Sequence, residues 1–576
     1  MKPSQNFVFI CLLILFHGLL NGQNIDQHVY EELDKSDHVP VIVLMQEQAN
    51  LDAAARIKGK EAKAHFVYHT LHEFAQKSQK NLQSVLREKG IAFRSFDLVN
   101  AIALDIDRSL LELLANRSEI GAIIFDQAQP MLDLSVERQD VREIKTRSAQ
   151  PTWGVTNMSV DKLWEKGFRG QGVVIGGQDT GYKWDVDQIK DKYRGLNANG
   201  DIDHNYSWHD AIHQASPLNS DTINPCGYDL DIPCDDHGHG THTMGTMTGE
   251  DSTNAFGLAP LAKWIGCRNM ERGWGAPSTY LECFNWFLAP TDLNGDNADP
   301  SKAPHVINNS WGCPPEEGCN PENWPIMELA VQHLKAAGTV VIVSAGNDGS
   351  ACGTIRNPAA MFEGSFTVGA YNINNQIAGF SSRGSVSIDS SFRIKPNVAA
   401  PGVNVLSVLH NGSYAYLSGT SMAGPHAAGL VALLISAKPE LAGEVEMIED
   451  IIEKSAIETT AEKECFQVGV NEVPNNTFGF GRINAERALE LASLTKVSEK
   501  SLLDVNLFPN PNTGMLFFGG LVPDRISLFD LSGKLVYSAA VPTGVVMLRQ
   551  LVQGLYQVKI EKGSDSVTKP LMIIKN

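Results

Sequence analysis

At 576 residues the chain is too long for a single hydrophobic core, so several folded units are expected. Hydrophobic residues at 43% and charged residues at 20% are the proportions of a globular protein. A net charge of −19 excludes a nucleic-acid binder that meets phosphates with a basic face, and it names no substrate.

The chain opens on Met1-Lys2, an apolar run from Phe7 to Leu20, and then Asn21-Gly22-Gln23. A charged start, an apolar stretch short for a bilayer and a small residue behind it predict a cleaved export signal over 1–22. Residues 23–148 hold no cysteine and read as a small α/β unit. Strand-like runs lie at 38–45, 101–107 and 120–125, a long helix at 61–89 stopped by Gly90, and a short helix at 109–115. The charged stretch Glu137 to Arg147 reads as an exposed linker.

From 149 to 495 short apolar runs alternate with helical stretches. The runs fall at 173–175, 263–265, 305–307, 339–343 and 365–368. Buried strands with helices between them predict an α/β fold, a doubly wound parallel sheet with ligands beyond its carboxyl ends. The last segment, 500–576, alternates over 526–531 and 554–560 between turn residues and predicts a small β-sandwich. Eight cysteines follow the signal, all between 226 and 465, an even number that suits an oxidising compartment. Cys226 with Cys234 and Cys313 with Cys319 are the pairs closest in sequence.

Four motifs in the middle segment carry chemistry: Asp179-Thr-Gly181 at a strand end, Asp235-Asp-His-Gly-His239-Gly-Thr-His242, Ser344-Ala-Gly-Asn347 at another strand end, and Ser418-Gly-Thr-Ser421-Met-Ala-Gly-Pro-His426 opening an apolar helix over 427–437. Each has an ordinary reading: an Asp-Thr-Gly turn or half of an aspartic dyad, a histidine metal cluster, a turn asparagine, and a serine N-cap. Together they supply what acyl transfer needs. A serine hydroxyl needs an imidazole to take its proton, the imidazole needs a carboxylate to hold its tautomer, and the oxyanion needs preorganised donors. Asn347 and the backbone N–H of Ser421 are the donors expected. The chain order Asp, His, Ser is that of subtilisin-type enzymes.

On these motifs the segment resembles the subtilisin-like serine peptidases, and Trp274 to Gly312 is especially similar to their bacillopeptidase F branch. The resemblance implies a secreted serine endopeptidase acting on proteins or peptides, with Ser421 as nucleophile, His239 rather than His237 as base, Asp179 as its orienter and Asn347 in the oxyanion hole. A dead scaffold kept for surface binding is the alternative. It further implies a cleft walled by Ser310, Trp311, Gly312, Ser344, Ala345 and Gly346. Arg356 would border the S1 pocket, favouring an acidic P1 residue unless it pairs with Glu363 or faces solvent. No cofactor is implied for the chemistry, although the family often carries structural calcium. Asp292 to Asp299 and Asn197 to Asp203 have loop oxygens at suitable spacing, and Gln188 stands where relatives often carry a ligating aspartate. Residues 23–148 resemble the family's inhibitor-chaperone propeptide, with cleavage near Ser148-Ala149. The C-terminus resembles a type IX secretion sorting domain, implying a Bacteroidetes-like bacterium. The partners implied are substrate, propeptide and secretion machinery, for a zymogen that acts as a monomer.

Overall fold

The computed structural model describes residues 24–126, 129–130, 139–140, 150–216, 219, 224–312, 321–494, 505–519, 522–541, 544–563 and 565–575. The expected signal, the cleavage point at 148–149 and the pair Cys313 and Cys319 lie outside them.

The N-terminal unit runs β1 (Asn24–Ile25), α1 (Gln27–Leu33), β2 (Val39–Met45), α2 (Lys60–Glu88), β3 (Arg94–Phe96), β4 (Ala101–Ile106), α3 (Arg108–Leu114) and β5 (Ile120–Phe125). The strands form one sheet in the order β1-β5-β2-β4-β3. The expected helices and strands are present. Along α2, Ala64, Val67, Leu71, Ala75, Leu82 and Leu86 are buried, the spacing of one helical face. Behind it Gly90 takes φ +70, a left-handed turn that ends a helix without a Cβ clash. Two short strands follow, β6 (Gln129–Pro130) and β7 (Gln139–Asp140).

The middle segment starts with β8 (Gln150–Pro151), α4 (Trp153–Asn157), α5 (Val160–Glu165), β9 (Val174–Asp179), α6 (Asp187–Lys190) and β10 (Trp208–Asp210). Next come α7 (His239–Thr248), β11 (Asn254–Ala255), β12 (Lys263–Arg268), β13 (Met270–Glu271), β14 (Trp274–Gly275), α8 (Pro277–Leu288) and β15 (Val306–Asn309). Then follow α9 (Trp324–Ala336), β16 (Val340–Ser344), β17 (Phe366–Tyr371), β18 (Val398–Pro401), β19 (Val405–Val408) and β20 (Tyr414–Leu417). The segment closes with α10 (Thr420–Ala437), α11 (Val445–Ser455) and α12 (Ala485–Leu494).

Seven strands make one sheet in the order β10-β12-β9-β15-β16-β17-β18, every pair parallel. Its two faces carry separate cores. Ile342 of β16 packs with α7 and α10, whereas its neighbours Val341 and Val343 pack with α8 and α9. A strand covered on both sides reads as a continuous apolar run, as Val340–Val343 does. The edge strand β10 is short and polar, Trp-His-Asp, and carries none of that signal.

The helix expected at 427–437 begins earlier, at Thr420. Gly424-Pro425 suggests a break, since proline cannot donate to the carbonyl four residues back. That carbonyl belongs to Ser421, and the Ser310 hydroxyl donates to it instead at 3.0 Å. The helix therefore passes through its proline. Disulfides join Cys226 to Cys234, Cys267 to Cys283 and Cys352 to Cys465.

The C-terminal unit packs two antiparallel sheets around one core. Its strands are β21 (Asn506–Phe508), β22 (Met515–Gly519), β23 (Arg525–Phe529), β24 (Leu535–Ala540), β25 (Val545–Met547), β26 (Gly554–Lys562) and β27 (Asp565–Ile573).

The N-terminal unit lies on the α8/α9 face, where its Ile42, Val67, Leu71, Phe96 and Leu98 join the core of the middle segment. Asn285 accepts from the N–H groups of Asp97 and Leu98, and Lys58 pairs with Glu444 at 2.7 Å. The stretch read as an exposed linker is corrected at its two described residues: β7 pairs with β20, and before it β6 pairs with β14. Backbone N–H and C=O groups there find partners in the middle segment rather than in water.

One polar cluster sits in this contact. Glu282 of α8 receives His209 at 2.8 Å, His213 at 3.0 Å and, from the N-terminal unit, Arg94 at 3.2 Å. Burial works against a charged His213, but its bonds to Glu282 and Asp229 outweigh it and raise its pKa to about 9. The folded chain therefore holds this proton more tightly than the unfolded chain, where the pKa is about 6.5. The stabilisation is complete below that value and lost as pH rises through about 9. The thermal midpoint of a Ser421→Ala chain should fall across this window, and His213→Gln should remove that part of the fall; identical slopes in scanning calorimetry would refute the assignment.

Candidate active site

The carboxyl ends of β9, β15 and β16 and the first turns of α7 and α10 converge on one site. Strand β9 delivers Asp179, which is fully buried. The Thr180 N–H donates to its Oδ1 at 2.8 Å and the Thr243 hydroxyl to its Oδ2 at 3.4 Å. His239, the first residue of α7, sets Nδ1 2.7 Å from the same Oδ1. Its Nε2 is buried with no hydrogen-bond partner among the described residues, so this nitrogen is open to accept a proton.

The closeness of α7 to Asp179 depends on the residue after the histidine. A Cβ at Gly240 would lie 2.1 Å from the Gly181 carbonyl oxygen and 3.0 Å from the Asp179 Cβ. Only glycine permits that approach. A second carboxylate anchors the turn: Asp235 accepts from Thr180 Oγ1 and the N–H groups of His237 and Gly238 on Oδ1, and from the N–H and hydroxyl of Thr241 on Oδ2. Asp235 lies inside the His239 motif, yet its part was not read from the sequence. Acids at the start of a helix were the available signal.

The three histidines of the motif diverge. The His237 and His239 rings stand 6.4 Å apart at 62°. His242 turns Nε2 toward the Ala415 carbonyl at 3.2 Å, and burial lowers its pKa to about 3. Among the described residues no group of three or more His, Cys, Asp or Glu is placed to hold a metal ion.

Ser421 is the second residue of α10, behind Thr420, with Gly419 at the N-cap; it is not itself the cap. Its hydroxyl donates to the Ser310 carbonyl at 3.2 Å. A Cβ at Gly424 would meet Asn308 Oδ1 at 2.8 Å and Ser344 Oγ at 3.2 Å, so α10 rests directly on the ends of β15 and β16. Thr420 ties these pieces together. Its N–H and hydroxyl donate to Asn347 Oδ1 at 2.9 and 3.0 Å, and its carbonyl accepts from Ser344 Oγ at 2.9 Å. With Oδ1 engaged, the Asn347 side chain has its Nδ2 amide left to offer.

The expected cleft residues separate into two kinds. Ser310 and Ser344 contact Ser421 or Thr420 directly, and Ala345 and Gly346 continue the buried end of β16. The Trp311 indole instead stacks on Tyr280 at 3.9 Å and 4°, within the core, so only its backbone and Gly312 can edge a cleft. Arg356 is half-buried beside Asn357, whose two amide atoms are buried with no hydrogen-bond partner among the described residues. Glu363, the partner weighed for Arg356, pairs with Arg393 at 3.7 Å.

The two oxygen-rich loops close on themselves. Asp292 Oδ1 accepts from the N–H groups of Asn294 and Asp296 and Oδ2 from the Asn297 amide; Asn197 Oδ1 accepts from Asn199 and Asp201 N–H. Gln188 donates to the Tyr414 hydroxyl at 3.2 Å.

Residues 170–481, more than half of the chain, match the subtilase family. The chain belongs to the subtilase family. It is 31% identical over 501 residues to bacillopeptidase F of Bacillus subtilis, covering 81% of this chain and 32% of that protein, so it spans about a third of that relative's length. With subtilisin E of the same organism it shares 28% over 394 residues, 68% of this chain and 85% of that protein. A solved structure of an epidermin leader peptide processing serine protease from Staphylococcus aureus has the same fold, with a TM-score of 0.56 and 15% identity, covering 79% of this chain and 99% of that one. Residues 506–575 match the secretion system C-terminal sorting domain, in line with the resemblance of that segment.

Replacing Asp235 by alanine strands several buried donors, each costing about 1–3 kcal/mol. Asp235→Ala should lower the denaturant midpoint and reduce kcat, while Asp235→Asn, which keeps part of the acceptor set, should lose less. Equal midpoints for wild type and Asp235→Ala would contradict this role.

Proposed function

We propose that this subtilase is an exported endopeptidase made as a zymogen, with Asp179, His239 and Ser421 as its triad. The observation that carries the reading is the buried 2.7 Å bond between His239 Nδ1 and Asp179, with the opposite ring nitrogen left without a partner. Ser421 Oγ attacks the scissile carbonyl carbon as His239 Nε2 takes its proton. Asp179 holds the ring's tautomer and stabilises the imidazolium. The oxyanion receives hydrogen bonds from Asn347 Nδ2 and from the Ser421 N–H at the start of α10, where the helix dipole favours negative charge. His239 then gives the proton to the leaving amine, and water, activated in the same way, hydrolyses the acyl-enzyme.

Residues 23–148 act as the propeptide in this reading. Support comes from their shared core on the α8/α9 face and from β7, which pairs with β20 just before the Thr420-Ser421 turn. Maturation then consists of cutting near Ser148-Ala149. The sorting domain match supports export and attachment or release at the surface of a Bacteroidetes-type bacterium, directed by type IX machinery; in this reading residues 1–22 are removed first, as their charged start and short apolar run lead one to expect. The working enzyme is a monomer that needs no metal for the chemical steps.

Ser421→Ala should leave only the roughly 10³–10⁴-fold acceleration over water that survives loss of a triad member. Asn347→Ala should lower kcat by about 10²–10³, the range known for a subtilisin's oxyanion asparagine, with KM little changed. A casein assay with a serine-directed phosphonate checks both; turnover by Ser421→Ala equal to wild type would sink the proposal.

Arg356 is assigned to the S1 pocket, where its planar guanidinium would pair with an acidic P1 side chain. Peptide-library profiling should show a Glu or Asp preference at P1 that Arg356→Ala abolishes. An unchanged profile would remove Arg356 from specificity without touching the triad.

A further inference from the structure

The N-terminal unit meets the C-terminal β-domain as well as the middle segment. The ring of Phe66 of α2 stands nearly perpendicular to that of Phe517 of β22, with ring centres 5.3 Å apart at 88°, and to that of Phe508 of β21, 5.8 Å apart at 82°. Those two rings stack on each other at 5.9 Å and 15°, so Phe66 packs against a ready-made aromatic pair. Ahead of α2, Ile57 forms an antiparallel bridge with Gly519, the last residue of β22, and its side chain is fully buried.

Two glycines of the C-terminal domain make room for this approach. A Cβ at Gly519 would lie 3.1 Å from the Arg56 carbonyl oxygen and 3.0 Å from the Phe508 ring. One at Gly544 would lie 3.0 Å from the Ala62 Cβ, at a backbone φ of +75 that already favours glycine. Ring packing, backbone pairing and close approach thus all join the same two units.

We propose that the N-terminal unit carries a second docking surface, formed by Ile57, Ala62 and Phe66, whose occupant is the chain's own C-terminal β-domain. The domain is held against this surface while residues 24–126 remain in place, and it is freed when they leave. The sorting domain of the zymogen and that of the mature enzyme therefore present different faces, because the end of β22 at Gly519 and the Phe508–Phe517 pair become uncovered only on maturation. The release step rests on the propeptide reading given above; the docking surface itself does not.

The full Ser421→Ala chain, which cannot process itself, tests the docking by hydrogen exchange and mass spectrometry. Amides in peptides spanning 53–58 and 515–519 should exchange at least about tenfold faster in Ser421→Ala/Phe66→Asp, while β26 and β27 keep their rates. Equal rates at 515–519 in the two chains would overturn the surface. If Phe66→Asp does not fold, Phe66→Ala and Phe508→Ala, alone and together, replace it. A double variant no looser than either single one supports the contact, and independent, multiplying effects refute it.

In the active chain, loss of residues 24–126 should bring the same loosening at 515–519. Protection that survives their loss overturns the release. If those residues are never lost although Phe66→Asp loosens the domain, the docking stands and the propeptide reading falls.

Discussion

A carboxylate and an imidazole buried side by side have given up their water, and the rest of the site is arranged to replace it. Asp179 and His239 keep polar company only because Thr180, Thr243 and the first turn of α7 reach them. An uncompensated charge at this depth would shift its pKa or open the fold. The glycine after His239 matters for the same reason. Its missing side chain brings the start of the helix, with its unpaired N–H groups and positive dipole end, against two carboxylates. Asp235 takes the N–H groups that the turn cannot pair internally, and so fixes where the imidazole begins.

Ser421 is held by a related device on a different helix. α10 is buried almost throughout, so Ser421 stands on a rigid, dry element rather than on a loop. Pro425 removes one internal hydrogen bond and leaves the Ser421 carbonyl for Ser310 to satisfy. The proline thereby links the helix carrying Ser421 to the strand end beside it. Thr420 does the same for Asn347, spending the oxygen of that amide so that its nitrogen is the end left to donate. Both helices start where parallel strands end, the place where backbone N–H groups gather around developing negative charge.

The three units contact one another directly. The N-terminal unit completes the core on the α8/α9 face, contributes Arg94 to the Glu282 cluster and touches the C-terminal domain through Phe66.

The residues proposed for catalysis each stand in a local motif whose spacing reflects backbone geometry: an acid at a strand end, and a histidine or serine at a helix start. Runs such as Val340–Val343 and the alternation in the C-terminal segment reported their strands for the same reason, since periodicity records burial along one element. β10 was silent, being short, polar and at an edge. The early start of α10 was hidden by a Gly-Pro pair whose break is repaired by Ser310, a residue far away in the chain. Thr420 and the inward turn of Trp311 onto Tyr280 were likewise beyond reach, because each depends on which strand ends and helix turns the fold brings together. By itself, then, the sequence determined the chemical groups, their order and the type of each unit. Only the tertiary structure decided which nitrogen of His239 is left open, how Asn347 is turned and which surfaces the flanking units cover, because hydrogen-bond direction and close approach are properties of elements in contact.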